Sequence, residues 1–404
     1  MTACVITADG AYAARLARSG DSWFPERWTL DGPEPYAVPL PVLQPEEPGT
    51  EVQPMGDGRV LIRRVSQGRH AFSLLYPTGP GTGELPLGAV ECPDEDTVLT
   101  LLPPAPCGGR AYALAAGPRS TALWLVAGGA FGPEQVAEVP GRCSGGVWLD
   151  RAGRLLALDR DLDGRTKAVA VDLERGGEVS PLLQIAADSD DRLLLADPDS
   201  GLILIGSDAP DPGGPARLGW GVLGSTLPVR FPESLRLDGC ALTPFAVQPG
   251  QVLQPESCAV ALRVDGPYGS WVGVWRAADR QMRQLAAPPG WLTGSGHWTE
   301  AGLLLLPYAT EAEPCAVARV GVPGVTRPGA GVPEDGPQTA DADRVPGAVG
   351  DTALAVGDTA RTVGGADDDA GDSPGPELEA EGPEPVAARP VPLQQAPLAR
   401  LVTN

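Results

Sequence analysis

No run of 18 apolar residues occurs anywhere in this 404-residue chain, so the sequence holds no helix able to span a bilayer. Positive charge is scarce. Thirty basic against 52 acidic side chains leave a formal net charge of −22 at pH 7. A field of that sign repels phosphate and argues against a nucleic-acid binder. Lysine occurs once, at Lys167, so the remaining basic residues are arginines. That bias, with abundant Ala, Gly and Pro, resembles the composition of proteins from high-GC actinomycetes. Histidine occurs only as His70 and His297. The seven cysteines (Cys4, Cys92, Cys107, Cys143, Cys240, Cys258 and Cys315) are widely spaced and form no C-x-x-C pair. A zinc site wants close thiol pairs with histidines beside them, so no metal is expected. An odd, dispersed set with no secretion signal ahead of it reads as reduced, buried cytosolic thiols. Residues 1–12 show neither a basic region nor a long apolar stretch, and the expected location is cytoplasmic. G-x-S-x-G nucleophile elbows are also missing, and so is any cofactor fingerprint, so no cofactor is expected.

Turn formers, in contrast, are dense. Gly (53) and Pro (45) make up about a quarter of the chain. Outside a collagen period, that density means many short elements joined by turns, or a disordered part. Both are expected here. Residues 328–388 contain no aromatic side chain, 14 acidic and two basic ones, so they carry −12 of the total charge. With so little apolar mass they cannot offset the entropy of ordering and are expected to be disordered. Such an acidic stretch reads either as a docking arm for a basic partner or as a silent linker. Apolar residues return in 389–404, where Val391 to Leu398 reads as an extended strand.

Residues 1–327 repeat. A tight turn ending in Gly precedes alternating apolar residues at Gly10, Gly58, Gly109, Gly153, Gly201 and Gly302, with a weaker copy at Gly250 before Gln251-Val-Leu-Gln-Pro-Glu-Ser257. The spacings are 48, 51, 44, 48, 49 and 52 residues. Turn-Gly followed by alternation is a hairpin signal, since Gly supplies the positive φ of such turns. Further strand pairs follow most of these hairpins, as in Phe72–Tyr76 with Glu84–Leu87 and Ala122–Val126 with Gln135–Val139. Each period thus holds four short strands. Repeated units of this kind resemble the blades of a β-propeller, loosely of the WD40-like superfamily. The Gly-His and Trp-Asp signatures of true WD40 repeats are absent. The resemblance implies an all-β, seven-bladed ring. Its last period supplies three strands (Trp298–Thr299, Leu303–Pro307, Cys315–Val320), which leaves Val391 to Leu398 to complete the blade after the acidic excursion.

Candidate sites follow from residue type. Asp159-Arg-Asp161-Leu-Asp163-Gly164 matches half a calcium loop, but Ala170 stands where the bidentate Glu belongs, so the segment reads as a polar turn. His70 and His297 sit near strand starts, where packing or hydrogen bonding is the ordinary role. Trp124, Trp148, Trp271 and Trp275 fall inside strand patterns and are assigned to packing between blades. Trp23, Tyr268 and Trp291 lie in or beside Gly/Pro loops and are the expected binding anchors. The run Asp188–Arg192 reads as a solvated loop between blades.

Two function classes remain. The first is a monomeric, non-enzymatic interaction module that binds a protein partner or ligand on its loop face or channel mouth. The second is a propeller-type enzyme, such as a lactonase, lyase or hydrolase, whose site gathers one polar residue from each of several blades. The propeller that gates prolyl-oligopeptidase-like hydrolases is a further resemblance, here without the hydrolase half.

Overall fold

A computed structural model describes residues 4–92 and 94–322. The expectations for residues 328–388 and 389–404 fall outside them. The described residues form 26 strands and two short 3-10 turns, Glu233–Leu235 and Pro255–Ser257, with no α-helix among them. No helix here is long and apolar enough to cross a membrane.

The first sheet is β1 (Val5–Ile6), β2 (Tyr12–Ser19), β3 (Ser22–Thr29) and β4 (Tyr36–Pro39), paired in chain order. The second is β5 (Glu51–Pro54), β6 (Val60–Ser66), β7 (Arg69–Pro77) and β8 (Thr82–Glu91). The third is β9 (Val98–Leu101), β10 (Ala111–Ala116), β11 (Ser120–Ala127) and β12 (Glu134–Pro140). A seven-stranded sheet follows. In it β13 (Arg142–Trp148), β14 (Leu155–Leu162), β15 (Arg165–Asp172) and β16 (Glu178–Pro181) join β17 (Asp191–Ala196), β18 (Leu202–Ser207) and β19 (Arg217–Val222). The junction is a single parallel bridge, Lys167 to Asp191. Next come β20 (Ala241–Val247), β21 (Val260–Gly266), β22 (Gly269–Trp275) and β23 (Arg283–Leu285). The last sheet is β24 (His297–Trp298), β25 (Leu303–Tyr308) and β26 (Ala316–Gly321). Divided at the parallel bridge, these sheets make seven antiparallel meander units.

In every unit a glycine turn links the first strand to the second. Gly10, Gly58, Gly108, Gly153, Gly201, Gly250 and Gly302 all have φ between 68° and 83°. A side chain there would be strained, because that region is open mainly to Gly. The third turn glycine is Gly108; the sequence pattern pointed to its neighbour Gly109. Gly250 also turns the chain, but the strand after it starts only at Val260, because Gln251–Ser257 forms turns and a 3-10 segment instead of the expected strand.

Most second strands open on a continuous apolar run, such as Val60–Ile62, Leu155–Leu158 and Leu202–Ile205, and the packing explains why. Along β14, Leu156 and Leu158 enter the cluster shared with the third unit, while Leu155 and Ala157 enter the one shared with the fifth. Along β18, Ile203 and Ile205 face back to the fourth unit, and Leu202 and Leu204 face forward to the sixth. Side chains alternate across a strand, so a strand buried on both faces needs apolar residues at every position. Each of the seven core clusters draws on two neighbouring units. The last of them joins Ala13 and Trp28 of the first unit to Leu292, Ala309 and Val317 of the last. The sequence of contacts therefore closes on itself, which is the packing of a β-propeller.

The tryptophans take part unevenly. Trp148 and Trp275 are buried between units, and Trp124 packs against the second–third cluster. Trp271 departs from the expectation: its Nε1 donates to Gln284 Oε1 across β22 and β23 (2.9 Å). Trp28, Trp220 and Trp298 carry packing that the strand pattern did not single out.

In the loop expected to be solvated, Asp188 and Arg192 are exposed, but Ser189 and Asp191 belong to a buried polar seam between the fourth and fifth units. Asp191 is fully buried and Ser189 nearly so. The sole lysine, Lys167, donates from Nζ to Asp191 Oδ2 (2.7 Å), Ser189 Oγ (3.1 Å) and Ala186 O (2.5 Å). Asp191 accepts further bonds from Ser207 Oγ (2.6 Å) and Ile185 N (2.9 Å). The charge is tolerable there because every neighbouring donor is aimed at it.

Two stability outcomes follow. Lys167→Met leaves the Asp191 carboxylate buried without its cation and should cost about 3–5 kcal/mol in urea unfolding. Leu204→Ala opens a cavity between the fifth and sixth units and should cost about 2–5 kcal/mol, against about 0.5 kcal/mol or less for the exposed Leu227→Ala.

Candidate functional site: the central channel

Strand direction alternates within a meander. The seven glycine turns therefore lie on one face, and the hairpins between second and third strands lie on the other. The first strands converge around the axis and enclose two adjoining cavities. The one toward the glycine turns has a volume of about 430 Å³ and is lined by the first, third, fourth, fifth, sixth and seventh units. The one toward the hairpin face measures about 650 Å³. Both share Cys4, Pro103, Pro104, Pro244 and Phe245. Proline recurs in these walls at Pro103, Pro104 and Pro244, where a ring-closed side chain lets converging strands approach.

Polar groups in the cavity toward the glycine turns are few, and several are held by hydrogen bonds. Arg151 grips Asp199 with both Nε and Nη2, and Asp199 also accepts from Gly250 N (2.8 Å). The turns of the fourth, fifth and sixth units are thus tied at one carboxylate. The Arg151 hydrogen bond holds the Asp199 carboxyl below its ordinary range. Asp197 is buried and accepts from Ser200 N (3.0 Å) and Ser200 Oγ (2.5 Å), with the Cys258 thiol 3.6 Å away. Burial, and then Asp197 itself, pushes that thiol far above its ordinary range.

His297 also lines this cavity. Burial depresses its pKa, only partly opposed by Asp9. A Cβ placed on Gly10 would overlap the His297 ring, so this turn needs glycine for space as well as for φ. His70 lies outside both cavities. Its Nδ1 is 2.9 Å from Arg63 Nη1, which can only donate, so the ring is neutral with its proton on Nε2. Arg63 is neutralised in turn by Glu51 (2.6 Å), which also accepts from Leu101 N (3.1 Å) and so joins the second and third units.

The three expected anchors do not form one site. Tyr268 is fully exposed at the tip of the β21–β22 hairpin. Trp23 is half-buried at the start of β3, with the Arg18 guanidinium 5.9 Å from its ring centroid. Trp291 is 5% exposed. Its ring packs on Phe245 with centroids 5.7 Å apart, and its Nε1 donates to Ser295 O (2.8 Å). It therefore backs the channel wall and does not offer a surface to a partner. The loop position suggested exposure, but the paired Phe245 lies on a distant strand that local sequence does not reveal.

The half calcium loop also dissolves. Asp159 points inward and accepts from Leu193 N (2.9 Å), while Asp161 and Asp163 are exposed. Among the described residues no group of three or more His, Cys, Asp or Glu side chains is placed to hold a metal ion. Of the seven free cysteines expected to be buried, Cys4, Cys143 and Cys258 are, Cys92, Cys240 and Cys315 are half-buried, and Cys107 is exposed.

No family model matches the sequence, and no curated protein does. Solved structures match at the level of the fold. Prolyl oligopeptidase B from Galerina marginata aligns with a TM-score of 0.50 at 11% identity, over 80% of this chain and 49% of that one. A puromycin-hydrolysing peptidase from Mycobacterium tuberculosis gives 0.47 at 15%, over 80% and 52%. TolB from Acinetobacter baumannii gives 0.42 at 11%, over 76% and 78%. The chain spans about half the length of the two peptidases. At these identities the likeness shows the fold, a β-propeller, and nothing finer.

The pH dependence has two opposed parts. Both histidines have lowered folded pKa values, so their contribution is complete above about 6.5 and is lost as pH falls. Asp159 is the reverse case: burial raises it to about 6, so its cost appears as pH rises from about 4 to 6. Asp159→Asn keeps the acceptor for Leu193 N and should gain about 1–3 kcal/mol at pH 8 and nothing at pH 4 in parallel urea titrations.

Proposed function

We propose that this chain is a seven-bladed, monomeric interaction module that binds a protein partner at the channel mouth on the glycine-turn face. The observation that carries the reading is the cavity of about 430 Å³, walled by six units. Its rim is pre-organised by the Arg151–Asp199–Gly250 tie, so ordering costs on binding are small. An apolar lining of Pro and Phe with a few fixed polar groups is the usual make-up of a recognition pocket. Channel polar groups such as Asp197, Arg151 and Glu51 are engaged with one another or with backbone, which favours recognition over turnover.

Ala8 is exposed and borders this cavity, so Ala8→Trp fills the mouth without touching the core. In affinity purification from the native cytosol, a stoichiometric partner should be recovered with the parent chain. Recovery should fall at least about tenfold with Ala8→Trp while the melting temperature is unchanged. Tyr268→Ala, on the opposite face, should leave recovery intact. Loss with Tyr268→Ala alone would move the interface to the hairpin face. A clean monomer with no partner would replace this reading with a small-molecule ligand in the channel.

A further inference from the structure

The cavity toward the hairpin face holds an unanswered donor. Gln53, on β5, lines it and is only 2% exposed. Its Nε2 has no hydrogen-bond partner among the described residues. A buried amide donor left unpaired costs free energy that an apolar residue of similar size would avoid. The neighbours of Gln53 on the strand show no such cost. Val52 packs into the core between the first and second units. Glu51 accepts from Arg63 Nε (2.6 Å) and Leu101 N (3.1 Å).

A second donor reaches the same space from the sixth unit. Arg263, on β21, lines the cavity and donates from Nε to Asp265 Oδ2 (2.7 Å). That bond leaves Nη1 and Nη2 without an acceptor among the described residues. Gly294 keeps the approach open, since a Cβ there would already lie 3.4 Å from Nη1. Much of the remaining wall is apolar, with Pro103, Pro104, Pro244 and Phe245. A water takes up about 30 Å³ and would satisfy one amide. It would not fill an apolar-walled space of about 650 Å³.

We propose that this cavity binds a small organic acid. The carboxylate accepts from the Arg263 guanidinium, and a second oxygen, such as an amide carbonyl, accepts from Gln53 Nε2. The apolar body lies against the prolines and Phe245. Both unanswered groups are donors, and the carboxylate in the wall, Glu51, is already neutralised by Arg63, so the site selects an acceptor-bearing anion over a cation. It lies toward the opposite end of the channel from the proposed partner surface and does not rest on that reading.

The probe is N-benzoylglycine, which carries a carboxylate, an amide carbonyl and an apolar ring. Calorimetry on the full chain should show saturable one-to-one binding with a millimolar or tighter Kd. Its methyl ester should bind at least about tenfold more weakly, and benzylamine not at all. Arg263→Gln should weaken the acid at least about tenfold and erase its advantage over the ester. Gln53→Met should weaken acid and ester alike, while the melting temperature of the free protein holds or rises, because the orphan donor is gone. Ala8→Trp, which borders the other cavity, should leave the Kd unchanged, so failure here is separable from failure of the partner surface. No saturable binding of N-benzoylglycine, equal affinity for acid and ester, or indifference to both substitutions would overturn the proposal. A lowered melting temperature in Gln53→Met would assign that amide to structure and would also count against it.

Discussion

Burial of the second strand of each unit on both faces is the constraint on which the rest depends. Such a strand cannot be satisfied within its own sheet. Leu155 and Leu156, or Ile203 and Leu204, need different neighbours to cover them. Each unit therefore requires one on either side, and a row of units always leaves two faces bare. Closing the row into a ring removes them. Trp28 and Ala13 against Leu292 and Val317 are the contacts that do so. The hydrophobic gain is worth roughly 1.5–3 kcal/mol for each large side chain buried, and it is distributed over seven interfaces.

The polar groups fit within that frame. Asp191 with Lys167, Glu51 with Arg63, and Asp199 with Arg151 and Gly250 all bridge or border adjacent units. They specify how neighbours are set relative to one another, which non-directional apolar contact does not. The inner strands then meet around the axis with Pro, Gly and Phe, leaving a channel whose rim is held by backbone turns and short ion pairs. A stiff rim of this kind suits recognition, because little conformational freedom is lost when something docks.

Much of this was legible in the chain itself. The glycine period and the alternating runs after Gly58, Gly153 and Gly201 marked second strands, because a Gly-only φ and a doubly buried strand both leave local signatures. What was hidden depends on distant residues. Trp291 looked like a surface anchor until Phe245 was placed against it, and Asp188–Arg192 looked solvated until Lys167 was seen to fill it. The strand after Gly250 was misplaced because a long turn intervenes before Val260. The channel leaves no local motif, since its lining is assembled from short stretches of six units that lie far apart in the chain. Gly10 shows both sides of this: its turn could be read, but its contact with His297, almost the whole described chain away in sequence, could not.

Native-state hydrogen exchange across a denaturant series tests the closed ring most directly. If each unit depends on both neighbours, the slow amides of β2, β6, β10, β14, β18, β21 and β25 should converge on one global opening free energy. Opening unit by unit, each with its own free energy and its own denaturant dependence, would contradict the account.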